Sequence, residues 1–181
     1  PTFLQMMSRL STSLFDYSLS FSLPYLKLTK AAMLKRVARV PKLGPWLQMS
    51  RSCIHTSIRE PGIHHCGVCP ACIERREAFC AAGIQEPVSQ YREDVFADAD
   101  ALRDDYLRAY LDNAVAWTIG DSTPAHRLKD HCAITELSGL DVDLYRLHQL
   151  HALETISAFG HLLGSENPDP ARAICSPRVA V

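Results

Sequence analysis

Residues 66–79 read Cys66-Gly67-Val68-Cys69-Pro70-Ala71-Cys72-Ile73-Glu74-Arg75-Arg76-Glu77-Ala78-Phe79, with Ser52-Cys53 upstream of them. The four cysteines of this block, Cys53, Cys66, Cys69 and Cys72, are spaced C-x12-C-x2-C-x2-C. Two-residue gaps let consecutive thiolates turn toward one point, and a fourth from a loop closes a tetrahedron around zinc. Gly67 permits the tight turn that aims backbone N–H groups at sulfur. Pro70 opens a helix with Cys72 in its first turn, where the helix dipole favours a thiolate. Such a cage carries excess negative charge, which Arg75 and Arg76 one turn on can offset. Adjacent helix positions point about 100° apart, so one arginine can face the site and the other solvent. A closed cage leaves no open coordination position, so its role is structural. An iron–sulfur cluster also uses C-x2-C-x2-C with a proline after a cysteine, so spacing leaves zinc and iron–sulfur both open. Disulfides need an oxidising compartment, and nothing here signals export. A redox C-x-x-C accounts less well for three linked cysteines plus a fourth. His55, His64 and His65 are alternative ligands or simply loop histidines beside a metal. Cys80, Cys132 and Cys175 are scattered and read as small buried or tail residues.

Upstream, Phe3, Met6, Met7, Leu10 and Leu14 recur at helical spacing and predict a helix over Thr2–Leu14. Tyr17, Leu19, Phe21 and Leu23 alternate with serines, a period of two that predicts a half-buried strand ended by Pro24. Thr29 can cap a helix from Lys30 to about Val40, stopped by Pro41 and Gly44-Pro45. Trp46, Leu47 and Met49 suggest a second short strand. Strand, helix, strand is a βαβ unit and implies a parallel sheet, so the expected class is α/β. Downstream of the cysteines, three helices are expected. The first, Ala99–Thr118, turns Leu102, Tyr106, Leu107, Leu111, Ala114 and Val115 inward. The second starts at Ser122-Thr123-Pro124 and runs to about Ser138. The third, from Asp141 to Gly164, carries Leu144, Leu147, Leu150, Leu153, Ile156, Phe159 and Leu163. The expected division is residues 1–92 for the α/β part, 93–164 for a helical extension and 165–181 for a loose tail.

Composition excludes other classes. The 181 residues are 47% hydrophobic and 22% charged, with 8 Gly and 11 Pro, which rules out collagen-like, coiled-coil and wholly disordered chains. No run of about 18 uncharged apolar residues predicts a membrane span, and the serine-rich stretch from Leu10 to Leu26 lacks the basic start and apolar block of a signal peptide. A cytoplasmic location without membrane contact is therefore expected. The first residue is Pro1, so the chain is expected to lie inside something larger or to be processed. The net charge of −1 hides an asymmetry: residues 1–52 hold 8 Lys and Arg against 1 acid, and residues 93–181 hold 7 against 15. A basic front and an acidic rear suggest different neighbours for the two ends.

The cysteine block, followed by Ala82-Gly83-Ile84, Glu86-Pro87 and Tyr91, resembles the C-terminal half of the 7-cyano-7-deazaguanine synthases, as does Leu23-Pro24-Tyr25-Leu26-Lys27-Leu28-Thr29-Lys30 before its helix. Pro1-Thr2-Phe3 is similar to the remnant of that family's R-P-x-F segment. The resemblance covers about residues 1–92. It implies the C-terminal part of a PP-loop (adenine nucleotide alpha hydrolase-like) α/β fold, with a structural zinc on Cys53, Cys66, Cys69 and Cys72. It further implies ATP with magnesium as cosubstrate, and conversion of a 7-carboxy-7-deazaguanine-type carboxylate to a nitrile with ammonia, a step toward queuosine in tRNA. The family's ATP loop, S-G-G-x-D-S, does not occur in this sequence, so the resemblance assigns that loop to an N-terminal PP-loop half as partner. Three departures stand out: Arg51 replaces the aromatic residue that precedes Ser-Cys, the Cys53–Cys66 loop is long, and about 90 residues follow the zinc block. Extended synthase-like proteins occur in anti-phage defence operons, which gives an alternative: action on another substrate, with an operon-encoded partner protein or a homo-oligomer. A non-enzymatic zinc-stapled binding module, its basic front docking nucleic acid or a partner, is the second alternative. Lys30, Arg75 and Arg76 are candidate contacts to a small-molecule substrate's phosphate or carboxylate, or else ion-pairing residues. Asp98, Asp100, Asp104 and Asp105 suit the start of a helix through its dipole.

Overall fold

The computed structural model describes residues 2–55, 60–97, 105–119 and 141–164. Six helices run through them: α1 Thr2–Phe15, α2 Lys30–Ala38, α3 Gly44–Met49, α4 Pro70–Ala81, α5 Asp105–Ile119 and α6 Asp141–Leu162. A single 3-10 turn, Val88–Gln90, follows α4. Thr29 caps α2 as its sequence suggests, its hydroxyl accepting from the Ala32 N–H at 3.1 Å.

The expected βαβ unit does not form among the described residues, where the only β pairing is an isolated parallel bridge between His65 and Tyr91. The segment Tyr17–Leu23 has no regular secondary structure, and among the described residues no neighbouring strand takes its backbone N–H and C=O groups. Without a partner its apolar side chains stay in the open, Tyr17 at 63% exposure and Leu23 at 46%. The second expected strand is helix α3. Pro45 sits in its first turn, where a missing N–H costs nothing and the fixed φ favours helix over strand.

Helix α4 is the hub. Helix α2 packs on it from the front of the chain and α6 from the rear, while α5 lies along α6. Ile73 of α4 joins Phe96, Leu107, Leu111 and Phe159 in one buried cluster. Each such side chain contributes about 1.5–3 kcal/mol by leaving water. A second cluster of Ala114, Trp117 and Ala152 seals the far end of the α5–α6 pair. The inward set of α5 matches the expected one at Leu107, Leu111 and Ala114. In α6 the leucine stripe is displaced: Leu150 and Leu153 face outward, while Ala152, Thr155, Ala158 and Phe159 are buried. Small residues at 152, 158 and 160 let α6 approach its neighbours closely, which a leucine ridge would prevent. The expected helix over 122–138, the tail 165–181, Cys132, Cys175, Leu102 and the Asp98–Asp104 cluster lie outside the described residues. Among the described residues, no helix is long and apolar enough to cross a membrane.

Candidate metal centre

Three short segments bring sulfur to one point: Ser52-Cys53 after α3, the Cys66–Cys69 turn, and the first turn of α4. Cys69 is the N-cap residue of α4 in extended conformation and Pro70 follows it. The carbonyl of Cys69 accepts from the N–H groups of Cys72 and Ile73 at 2.9 and 3.1 Å, which starts the helix with Cys72 already turned toward Cys69. Gly67 makes the preceding turn at φ +92°, and a Cβ there would stand 1.7 Å from the Glu93 carbonyl oxygen. That contact exists because the knuckle is tied to the following segment. Glu93 N–H donates to the Cys66 carbonyl at 3.1 Å, and Arg92 N–H donates to the His65 carbonyl at 2.9 Å.

The Sγ atoms of Cys53, Cys66, Cys69 and Cys72 all lie within 4.8 Å of one another. Cys69 and Cys72 are 3.4 Å apart, and the pairs Cys66–Cys72 and Cys53–Cys69 are each 3.9 Å apart. A tetrahedral zinc with Zn–S bonds of about 2.3 Å places its sulfurs about 3.8 Å apart, so this donor set fits such an ion. Disulfide bonds require about 2.05 Å and are absent from the set. Backbone N–H groups point at sulfur as expected: His55 and Cys66 donate to Cys53 Sγ at 3.4 Å, and Cys69 donates to Cys66 Sγ at 3.3 Å. Burial pushes the Cys66 and Cys72 thiols up, against ionisation. Burial also acts on Cys69, but backbone hydrogen bonds from Ile54 and Cys72 outweigh it and hold that thiol at about 7. A buried set of this kind ionises together only when a cation supplies the compensating charge.

Sulfur alone completes the set. His55 is exposed, and His64 Nδ1 pairs with Arg51 Nη2 at 2.9 Å. His65 is fully buried and stacks on Tyr91 at 4.9 Å between centroids. Burial, aided by the nearby Arg75 charge, lowers its pKa to about 4, so its ring is neutral near pH 7.

Neither arginine faces solvent, contrary to the expected split. Arg75 is 1% exposed and Arg76 8%. Helix α4 is covered on both flanks, so both directions lead into protein. Arg75 Nε donates to Glu86 Oε1 at 2.5 Å, its Nη1 to Ser50 Oγ at 2.8 Å, and its Nη2 to the Leu47 carbonyl at 2.9 Å. Its guanidinium also lies 4.4 Å over the Phe79 ring. Glu86 takes a second hydrogen bond on Oε2 from the Tyr91 hydroxyl at 2.6 Å. Arg76 pairs with Asp94 and lies over the rings of Tyr91 and Phe96. The arginines thus brace the sulfur knuckle against α3 and the 86–96 segment. Lys30 is half-exposed, 4.0 Å from Glu74. The brace through His65, Glu86 and Tyr91 was not assigned from sequence, although Glu86-Pro87 and Tyr91 were among the residues carrying the resemblance.

Residues 1–83 match the family described as "Queuosine biosynthesis protein QueC". The chain is similar to the 7-cyano-7-deazaguanine synthase of Rhizobium etli, with 34% identity over 103 residues, 56% of this chain and 40% of that protein. It is 37% identical to that of Agrobacterium fabrum over 73 residues, 40% of this chain and 27% of that protein. With that of Brucella anthropi it shares 48% identity over 42 residues, 23% of this chain and 16% of that protein. The chain thus spans well under half the length of these curated relatives. No solved structure matches it. The match and the sulfur knuckle fall on the same stretch, and the chain is QueC-like, its front resembling the C-terminal half of a 7-cyano-7-deazaguanine synthase.

Proposed function

We propose that this chain is the zinc-bearing C-terminal part of an ATP-dependent ligase of the 7-cyano-7-deazaguanine synthase type. The observation that carries the reading is the closed four-sulfur knuckle inside the QueC-matched residues. Cys53, Cys66, Cys69 and Cys72 would hold zinc, which would act as a structural cross-link between the end of α3, the 60–69 loop and α4. Catalysis would use ATP and magnesium bound by an N-terminal PP-loop half carrying S-G-G-x-D-S. The reaction would turn a 7-carboxy-7-deazaguanine-type carboxylate into a nitrile with ammonia, in the cytoplasm. The chain's own residues serve that site by rigidity. The Arg75–Glu86–Tyr91 hydrogen bonds and the His65–Tyr91 stack would fix the knuckle in place.

The test joins this chain to a synthase N-terminal half in one polypeptide and measures AMP and pyrophosphate from ATP with 7-carboxy-7-deazaguanine and ammonia. The expected result is nitrile formation by the joined protein and none by the chain alone. Activity of the chain alone would place the ATP site elsewhere and overturn the reading. ATP cleavage without use of the deazapurine would assign another substrate, the defence-associated alternative. The matched family residues end at 83 while α5 and α6 pack on α4 beyond them, and this favours keeping that alternative.

A further inference from the structure

A second cavity, apart from the sulfur knuckle, lies where α2, α4, α5 and α6 meet. It encloses about 330 Å³, within the size range of small-ligand sites. One wall is the start of α2, with Leu28, Thr29 and Lys30 on the cavity. The α2 N-terminus brings a partial positive charge to the cavity; the Thr29 hydroxyl takes the Ala32 N–H, and no acidic residue in the first turn offsets the rest. The Lys30 ammonium stands on the same side. The opposite wall is acidic: Glu74 and Glu77 come from α4, one turn apart. Glu77 is 1% exposed; its Oε1 accepts from Thr155 Oγ1 at 3.4 Å and lies 3.8 Å from His151 Nδ1, which also lines the cavity. Leu147, Tyr110 and His148 supply apolar and aromatic surface between the two walls.

We propose that this cavity binds a small zwitterion, an apolar α-amino acid in class, with its carboxylate toward Lys30 and the α2 N-terminus and its ammonium toward Glu74 and Glu77. The Lys30–Glu74 pair supports this: at 4.0 Å and about 40% exposure it is a weak contact. A ligand with both charges separates that pair into two charge-assisted contacts. A simple anion drawn to Lys30 would leave Glu74 without a cation, and a simple cation drawn to Glu74 would leave Lys30 without an anion. Tyr110, Leu147 and His148 belong to helices beyond the QueC-matched residues, so the site is particular to a chain that carries this extension. It does not depend on the ligase reading above.

The experiment titrates the metal-loaded full chain by calorimetry with L-leucine, 4-methylpentanoate and 3-methylbutylamine at millimolar concentrations. The last two lack the amine and the carboxylate in turn. Leucine should bind saturably at one site, with both analogues at least tenfold weaker. Lys30→Met and Glu74→Gln should each weaken leucine binding at least tenfold. Both positions are half-exposed, so metal content and helical circular dichroism should stay unchanged and report an intact fold. Equal binding of an analogue would overturn the zwitterion assignment. Leucine binding unaltered by both substitutions would overturn the location. Absence of saturable binding by all three probes would overturn the site.

Discussion

At the scale of single residues, the knuckle rests on one glycine. A side chain at residue 67 would meet the Glu93 carbonyl at 1.7 Å, and its φ of +92° disfavours any L residue. Backbone strain alone costs on the order of 1–3 kcal/mol, before the clash is relieved. Gly67→Ala should therefore lower metal retention and melting temperature together, measured by elemental analysis and thermal scanning; an unchanged protein would show that the knuckle is not tied to Glu93. The cysteines divide cleanly. Cys69→Ser should abolish stoichiometric zinc, since structural zinc contributes on the order of 10 kcal/mol through its full ligand set. Cys80→Ser should keep it, because Cys80 Sγ turns instead to the Ala158 carbonyl at 3.7 Å on the α4–α6 contact. Iron with acid-labile sulfide in place of zinc would overturn the assignment. The convergence of the four cysteines was legible because their spacing is itself the geometry. His65 was not, since a lone histidine among three carries no pattern that separates a buried stacking ring from a ligand. The arginines were misplaced because helical angle gives direction but not what lies there.

At the scale of elements, α4 is held by contacts of two kinds. Phe159 of α6 is fully buried against Ile73, Leu107 and Leu111. Phe159→Ala should cost about 3–5 kcal/mol and loosen α5 and α6, with the knuckle's metal retained; loss of metal would show the two units are one. Beside this contact lies Glu77. Burial, with repulsion from Glu154, raises its carboxyl to about 7 from an ordinary 4.5. The folded state thus prefers the protonated form. This contribution is fully present below about pH 4.5 and is lost as pH rises through 7, a change on the order of 3 kcal/mol. Lys30, Glu74, Tyr110, His151 and Glu154 surround the group from α2, α4, α5 and α6. Burial lowers the His151 pKa, and its own contribution runs oppositely, being lost as pH falls. The difference between wild type and Glu77→Gln isolates the carboxyl: the wild type's relative stability should fall between pH 5 and 8. A flat difference would mean water reaches Glu77. Helices α5 and α6 were legible by periodicity, whereas the displaced face of α6 was not. Leucine count marks an amphipathic helix, but close packing selects its small residues.

At the scale of the whole molecule, the front of the chain exposes many of its large apolar side chains. Phe3, Met6, Leu10 and Leu14 of α1 are 50–70% exposed, and Phe21, Leu23, Trp46 and Met49 are exposed as well. Leu19, Phe21 and Leu23 flank a groove of about 320 Å³ against Leu4 and Ser8 of α1. The alternation in Tyr17–Leu23 was legible as strand chemistry, but a strand is completed by its neighbour, and none lies among the described residues. That is why the α/β class did not emerge here although the QueC match did. Apolar side chains exposed in this number, some of them gathered at that groove, mark a contact region. The occupant we propose is the N-terminal PP-loop half, because the face lies within the QueC-matched residues. Each apolar side chain covered there would contribute about 1.5–3 kcal/mol. The chain alone should consequently self-associate in sedimentation experiments, and the double substitution Leu10→Lys with Leu14→Lys should make it monomeric with its metal intact. In the polypeptide joined to a synthase N-terminal half, the same pair should reduce ATP pyrophosphatase activity at least tenfold by breaking the junction. Full activity of the joined double variant would mean that this face meets another partner, and the proposed assembly would be wrong even if the zinc site stands.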